Sequence, residues 1–220
     1  GKTTVFNLIS GLYRPDAGSV RLGGTDVTAM PPHKLAQLGL SRTFQNLQIF
    51  EEMTVLENVI AGFHLNESGP VLADLLSLPS VRRRSSSIRG QARVLLDRVG
   101  LGGDAAREAG ALSYGALKRL EIARGLAVGP RILLLDEPAA GCNNVETAEI
   151  DRLISELAAE GTAILLVEHD MKMVMQVSGH IVVLDSGRKI AEGKPEDIGK
   201  DPRVIAAYLG AEEIGIDAEG

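Results

Sequence analysis

Two apolar runs do most to limit what this chain can become. Arg131 to Leu135 leads an apolar strand into Asp136, and Thr162 to Val167 forms a second. Each precedes a helical pattern: Glu146 to Ala158, with Ile150, Leu153, Ile154 and Leu157 on one side, and then Met171 to Val177. Shorter strands are expected at Ser19–Leu22, Ser41–Phe44, His180–Asp185 and Lys189–Ala191. An unbroken apolar strand needs cover on both faces, and alternating amphipathic helices supply it. The expected core is therefore α/β with a mostly parallel sheet.

From about Thr54 to Ala127 the texture changes to helix and loop. Thr54 to Phe63 carries a stripe of Val55, Leu56, Val59, Ile60 and Phe63, opened by a capping box of Thr54 and Glu57. Further helices are expected at Ala92–Val99 and Ala116–Ala127, the latter with Ala116, Leu120, Ala123 and Ala127 on one face. Ser68 to Gly90, with Pro70, Pro79 and the run Arg82 to Ser87, reads as a solvated loop. The division expected is a core of 1–45 and 128–200, an inserted helical subdomain of 46–127, and a C-terminal helix and tail of 201–220.

Composition narrows the class. Of 220 residues, 45% are hydrophobic and 24% charged, the balance of a soluble globular chain. No apolar run approaches the roughly eighteen residues of a membrane-spanning helix. A net charge of −6 lacks the basic footprint of a nucleic-acid binder, and 3% aromatics leave no platform for stacking bases. The single cysteine, Cys142, cannot form an internal disulfide, and its expected role is packing.

Chemistry concentrates in five places. The chain opens with Gly1-Lys2-Thr3-Thr4, which matches the end of a phosphate loop, G-x-x-x-x-G-K-[ST] before a helix. There Lys reaches phosphates and a hydroxyl binds Mg²⁺; alone, the same text is also a helix start with an exposed lysine. Asp136 and Glu137 end a buried strand, where unpaired charge is costly. At the carboxyl end of a parallel strand they face the ligand crevice, Asp136 for Mg²⁺ and Glu137 to deprotonate a water attacking a γ-phosphate. His169 falls at the corresponding end of the second strand, able to donate to that phosphate or to cap the next helix. Gln45 follows a short strand, as a ligand to Mg²⁺ and water or as a polar loop residue. In Leu112-Ser113-Tyr114-Gly115, Ser113 either caps the next helix or joins the Gly115 amide in an anion site. An anion site there lies apart from the chain's own phosphate loop and calls for a second copy facing the first.

In order and approximate spacing, these motifs resemble those of an ABC transporter ATPase subunit: the second half of Walker A, the Q-loop, the signature motif, Walker B and the switch histidine. The text Ser41-Arg42-Thr43-Phe44-Gln45-Asn46, Ala139-Ala140-Gly141, Val167-Glu168-His169-Asp170-Met171 and Val204 to Gly210 is similar to the ATP-binding subunit of branched-chain amino acid importers. The resemblance implies a P-loop NTPase fold with ATP and Mg²⁺ held between two head-to-tail subunits. Gly1, Lys2, Thr3 and Thr4 of one copy hold phosphates, and Ser113 and Gly115 of the other close the site. Thr3, Gln45 and Asp136 serve the metal; Glu137, His169 and Gln45 serve hydrolysis. Implied partners are a second ATPase subunit, membrane permease subunits and, indirectly, a substrate-binding protein, which puts the chain peripherally on the cytoplasmic face of the membrane. The implied cargo is Leu, Ile or Val. Alternatives are urea or amide uptake, lipopolysaccharide export, an ABC ATPase acting on DNA or ribosomes, or a regulatory nucleotide-binding module.

Three departures from the family pattern stand out. Ala116 and Leu117 follow Gly115 where a polar residue and Gln are usual. Cys142, Asn143 and Asn144 replace Leu, Asn and Pro. The first half of the phosphate loop and the strand before it do not precede Gly1, so an initiator Met is expected upstream.

Overall fold

The computed structural model describes residues 1–43, 47–64 and 79–207. In chain order the elements are α1 (Lys2–Ile9), β1 (Arg21–Leu22), β2 (Thr25–Asp26), α2 (Pro32–Gln37), β3 (Leu40–Arg42), α3 (Val55–His64), α4 (Pro79–Arg98) and α5 (Tyr114–Ala127). They continue with β4 (Ile132–Asp136), α6 (Asn144–Ala159), β5 (Ala163–Val167), α7 (Met171–Val177), β6 (Ile181–Asp185), β7 (Arg188–Gly193) and α8 (Pro195–Ile198). The stretch 202–207 is also helical.

Strands β3, β4 and β5 form a parallel sheet in that order, with Arg42 opposite Leu134 and Asp136 opposite Val167. β4 sits centrally, and Leu133, Leu134 and Leu135 are fully buried, as an unbroken apolar run requires. β5 departs from the expectation of cover on both faces. Among the described residues it pairs on one edge only, and Ala163 and Leu165 are exposed. β6 and β7 are antiparallel, joined at a two-residue turn of Ser186 and Gly187, both at positive φ. Such a turn matches the twist of a tight hairpin.

Two apolar clusters support the sheet. The larger joins Val55 and Val59 of α3, Leu96 of α4, Leu120 and Ala123 of α5, Leu133 and Leu135 of β4, and Ile150, Leu153, Ile154 and Leu157 of α6. The second sets Phe6 of α1 against Val27, Leu35, Leu40, Leu134 and Val167. Phe6 is 1% exposed, and burying it contributes about 1.5–3 kcal/mol to docking α1 beside the strands.

The helix faces follow the sequence closely, and the Thr54–Glu57 box forms, with each backbone N–H bonded to the other's side chain. α4 does not follow. The Arg82–Ser87 run expected as a loop belongs to a helix spanning Pro79–Arg98, which includes most of the Ala92–Val99 helix. Ser85, Ser86 and Ser87 are exposed on it, while Ile88, Ala92 and Leu96 are buried at a spacing of four. A narrow stripe holds an otherwise polar helix in place.

Candidate active site

The parallel pairing of β4 with β5 carries both strand ends to one edge. Asp136 ends β4, and Glu137 follows with its N–H bonded to the Val167 carbonyl at 2.9 Å, extending the ladder by one step. Glu137 has a φ of 48°, in the left-handed region that a residue with a Cβ rarely adopts. Its carboxylate is thereby turned out of the strand's alternation, and strain of this kind concentrates at functional sites.

His169 lies beyond β5 on the same edge. Its Nδ1 is 3.8 Å from Glu137 Oε1 and 3.7 Å from Glu168 Oε2, within ion-pair range though longer than a hydrogen bond. Its side chain is two-thirds exposed and open to an incoming group. The capping role weighed for this histidine belongs to Asp170, whose carboxylate accepts from the N–H groups of Lys172 and Met173.

Lys2 joins the cluster from α1: its Nζ donates to the Glu168 carbonyl at 3.2 Å. Gly1 is the N-cap of α1, makes no side-chain cap, and no acidic residue occupies the first turn. The first-turn amides of Lys2, Thr3 and Thr4 have no intrahelical acceptor, and the helix dipole adds positive potential there. Gly1, Thr3 and Thr4 are exposed. The arrangement fits phosphate oxygens.

Asp136 is 2% exposed, and its charge is met by Arg42, whose Nη2 lies 3.0 Å from Asp136 Oδ2. The other terminal nitrogen of Arg42 donates to Asn7 Oδ1 at 2.7 Å and Ser10 Oγ at 2.8 Å. One guanidinium thus ties β3, α1 and β4 together. Among the described residues no group of three or more acidic, His or Cys side chains makes a metal cage. The Asp136 carboxylate and the Thr3 hydroxyl are donors of the kind Mg²⁺ takes, a cation that uses few protein oxygens and completes its shell with water and phosphate. Gln45 lies outside the described residues.

Ser113 and Gly115 form a second cluster. Ser113 caps α5, accepting from the Ala116 N–H. Its hydroxyl and the Gly115 N–H both donate to Glu146 Oε1, at 2.9 and 3.1 Å. Glu146 Oε2 accepts from the Asn143 N–H at 3.2 Å, and Asn143 in turn caps α6, completing a capping box. The Asn143 amide, the Ser113 hydroxyl and the Gly115 amide hold the Glu146 carboxyl below the usual carboxylate range. Gly141, at φ 79°, passes Tyr114 so closely that a Cβ would lie 3.0 Å from the ring.

Three of the residues that depart from the family pattern pack into the interior. Ala116 is 7% exposed and Leu117 packs against the main cluster, as does Cys142, whose thiol burial pushes up. Three participants escaped the sequence reading: Arg42, Glu168 and Glu146. Asn143-x-x-Glu146 was legible as a capping box. Glu168, a buried carboxylate receiving the Ala139 and His169 amides, was marked only by its place between Val167 and His169.

A parallel sheet whose strand-ending Asp136-Glu137, His169 and the start of α1 meet at one edge is the architecture of a P-loop ATPase of the cassette type. The family model for the ABC transporter matches residues 1–140, more than half of the chain, and the chain belongs to that family. A second model, the branched-chain amino acid ATP-binding cassette transporter, matches residues 188–214. The chain is 47% identical over 211 residues to the high-affinity branched-chain amino acid transport ATP-binding protein BraF of Pseudomonas aeruginosa, covering 96% of this chain and 83% of the relative. It is 46% identical over the same length and coverage to LivG of Escherichia coli K12, which bears the same description. The lipopolysaccharide export ATP-binding protein LptB of Acidithiobacillus ferridurans is 35% identical over 210 residues, covering 96% of this chain and 81% of that relative. The crystal structure of the ADP conformation of MJ1267, an ATP-binding cassette of an ABC transporter, superposes with a TM-score of 0.81 at 33% identity, covering 96% and 84% of the two chains. ATP binding and hydrolysis follow from the family. No helix among the described residues is long and apolar enough to cross a membrane.

Proposed function

We propose that this chain is the ATP-hydrolysing subunit of an importer for branched-chain amino acids, working as a head-to-tail pair beneath a membrane permease. The observation that carries the chemistry is the convergence of Lys2, Asp136, Glu137, Glu168 and His169 at one sheet edge. The likeness to BraF and LivG supports the cargo and the peripheral place on the cytoplasmic face of the membrane; identity to LptB is lower.

In this reading Lys2 and the first-turn amides of α1 hold the β and γ phosphates, and Glu137 orients a water behind the γ-phosphorus. As the water oxygen bonds to phosphorus and the bond to the ADP oxygen breaks, Glu137 takes the water's proton. His169, donating from its ring to a γ-phosphate oxygen, fixes the line of attack. Thr3, Gln45 and Asp136 would hold Mg²⁺, which supplies charge neutralisation along the phosphates. Arg42 holds the Asp136 carboxylate in place. Ser113 and Gly115 of the second copy contact the same nucleotide from the opposite side.

The test is reconstitution in vesicles with permease and a loaded binding protein. The expected result is ATPase stimulation by Leu, Ile or Val. Stimulation by urea, an amide or a lipid instead would overturn the cargo assignment, and hydrolysis that never depends on a membrane partner would overturn the importer reading.

A further inference from the structure

The donors that a facing nucleotide needs are already in use. The Ser113 hydroxyl and the Gly115 amide, at the positive end of α5, both spend their hydrogen on one oxygen of Glu146. The carboxylate presents what a phosphate presents: a charged oxygen at a helix N-terminus. Its fit depends on Gly115, because a Cβ there would fall 2.5 Å from both Glu146 Cγ and Cδ. The two carboxylate oxygens divide the work. Oε2 receives the Asn143 amide and closes the α6 cap, whereas Oε1 serves only the α5 donors. One carboxylate therefore serves two helix N-termini, and the α5 donors it occupies are the ones a facing phosphate would need.

Resting on the head-to-tail reading above, we propose that Glu146 is an internal anion seated on the phosphate donors of Ser113 and Gly115, and that ATP held by a second copy must displace it before the dimer closes. Glu146 is half-buried, so its carboxylate can swing into water without leaving a buried charge. Each closing site must break two hydrogen bonds to a charged group before it makes two new ones. The device sets how much ATP is needed for closure, and it keeps empty subunits from pairing.

The experiment uses the natural protein carrying Glu137→Gln, which lets ATP accumulate without turnover. The ATP concentration at half-dimerisation is read by light scattering, with and without Glu146→Gln. Removing the charge is expected to lower that midpoint about fivefold, the order set by releasing part-exposed, charge-assisted hydrogen bonds. Asn143→Ala, which weakens the α6 cap and leaves the Oε1 contacts alone, is expected to leave it unchanged. An equal or higher midpoint with Glu146→Gln, or an equal fall with Asn143→Ala, overturns the displacement while the head-to-tail dimer stands. A Glu137→Gln protein that stays monomeric at every ATP concentration overturns both.

Discussion

The two anion-facing regions of this chain are built in opposite ways. At the sheet edge no acidic side chain occupies the first turn of α1, His169 is exposed, and Glu137 sits in an unfavourable backbone conformation. At the α5 N-terminus the corresponding donors are filled by the chain's own carboxylate, in a relaxed capping geometry. An open half and a filled half teach that binding need not be symmetric in time. In the proposed pair, the α5 end engages nucleotide only when something displaces the carboxylate it already holds.

The sharpest way to break this comparison is to remove the chemistry from the open half. Glu137→Gln is expected to lower phosphate release about 10²–10⁴-fold, the range for loss of a general base. Turnover within threefold of the natural protein would remove Glu137 from the reaction. Next in size is Arg42→Met, which leaves Asp136 buried and unpaired and should cost about 3–5 kcal/mol in urea unfolding. Little change would mean that Asp136 is neutralised from elsewhere.

In the filled half the expected effects are smaller. Asn143→Ala should cost about 1 kcal/mol of stability, as a lost N-cap does, with ATP hydrolysis retained. Smallest is the pH dependence of Glu146. Its carboxyl is depressed in the folded chain, so its stabilisation is complete above the ordinary glutamate range and drains away as pH falls through the depressed value. The Tm gap between the natural protein and Glu146→Gln should be constant near neutrality and close in acid. A gap that widens in acid contradicts the ionised contact.

Local pattern made much of this molecule legible. The buried faces of α5 and α6, the Thr54 box, and Asp136-Glu137 ending a buried strand were all readable from spacing, because each depends on neighbours within a few residues. His169 was placed correctly once β4 and β5 were taken as adjacent. The contacts that tune the site were hidden by distance. Arg42 meets Asp136 across 94 residues, and Ser113 meets Glu146 across 33. α4 differs from its expectation for another reason: serines and arginines interrupt the apolar stripe, and packing on α3 and α5 shows that Ala92, Leu95, Leu96 and Val99 carry it.

The passage of Gly141 beneath Tyr114 has an optical consequence. The chain has no Trp and three Tyr, so its near-ultraviolet signal comes largely from those few rings. Tyr114 stands between Ser113 and Gly115, and Gly141, in the turn that follows Glu137, passes close to its ring. A change at the α5 end, or in the turn after Glu137, is expected to alter the surroundings of that one ring. The protein thus carries a native, label-free spectroscopic probe at the start of α5, readable by tyrosine emission or near-ultraviolet circular dichroism as ATP is added.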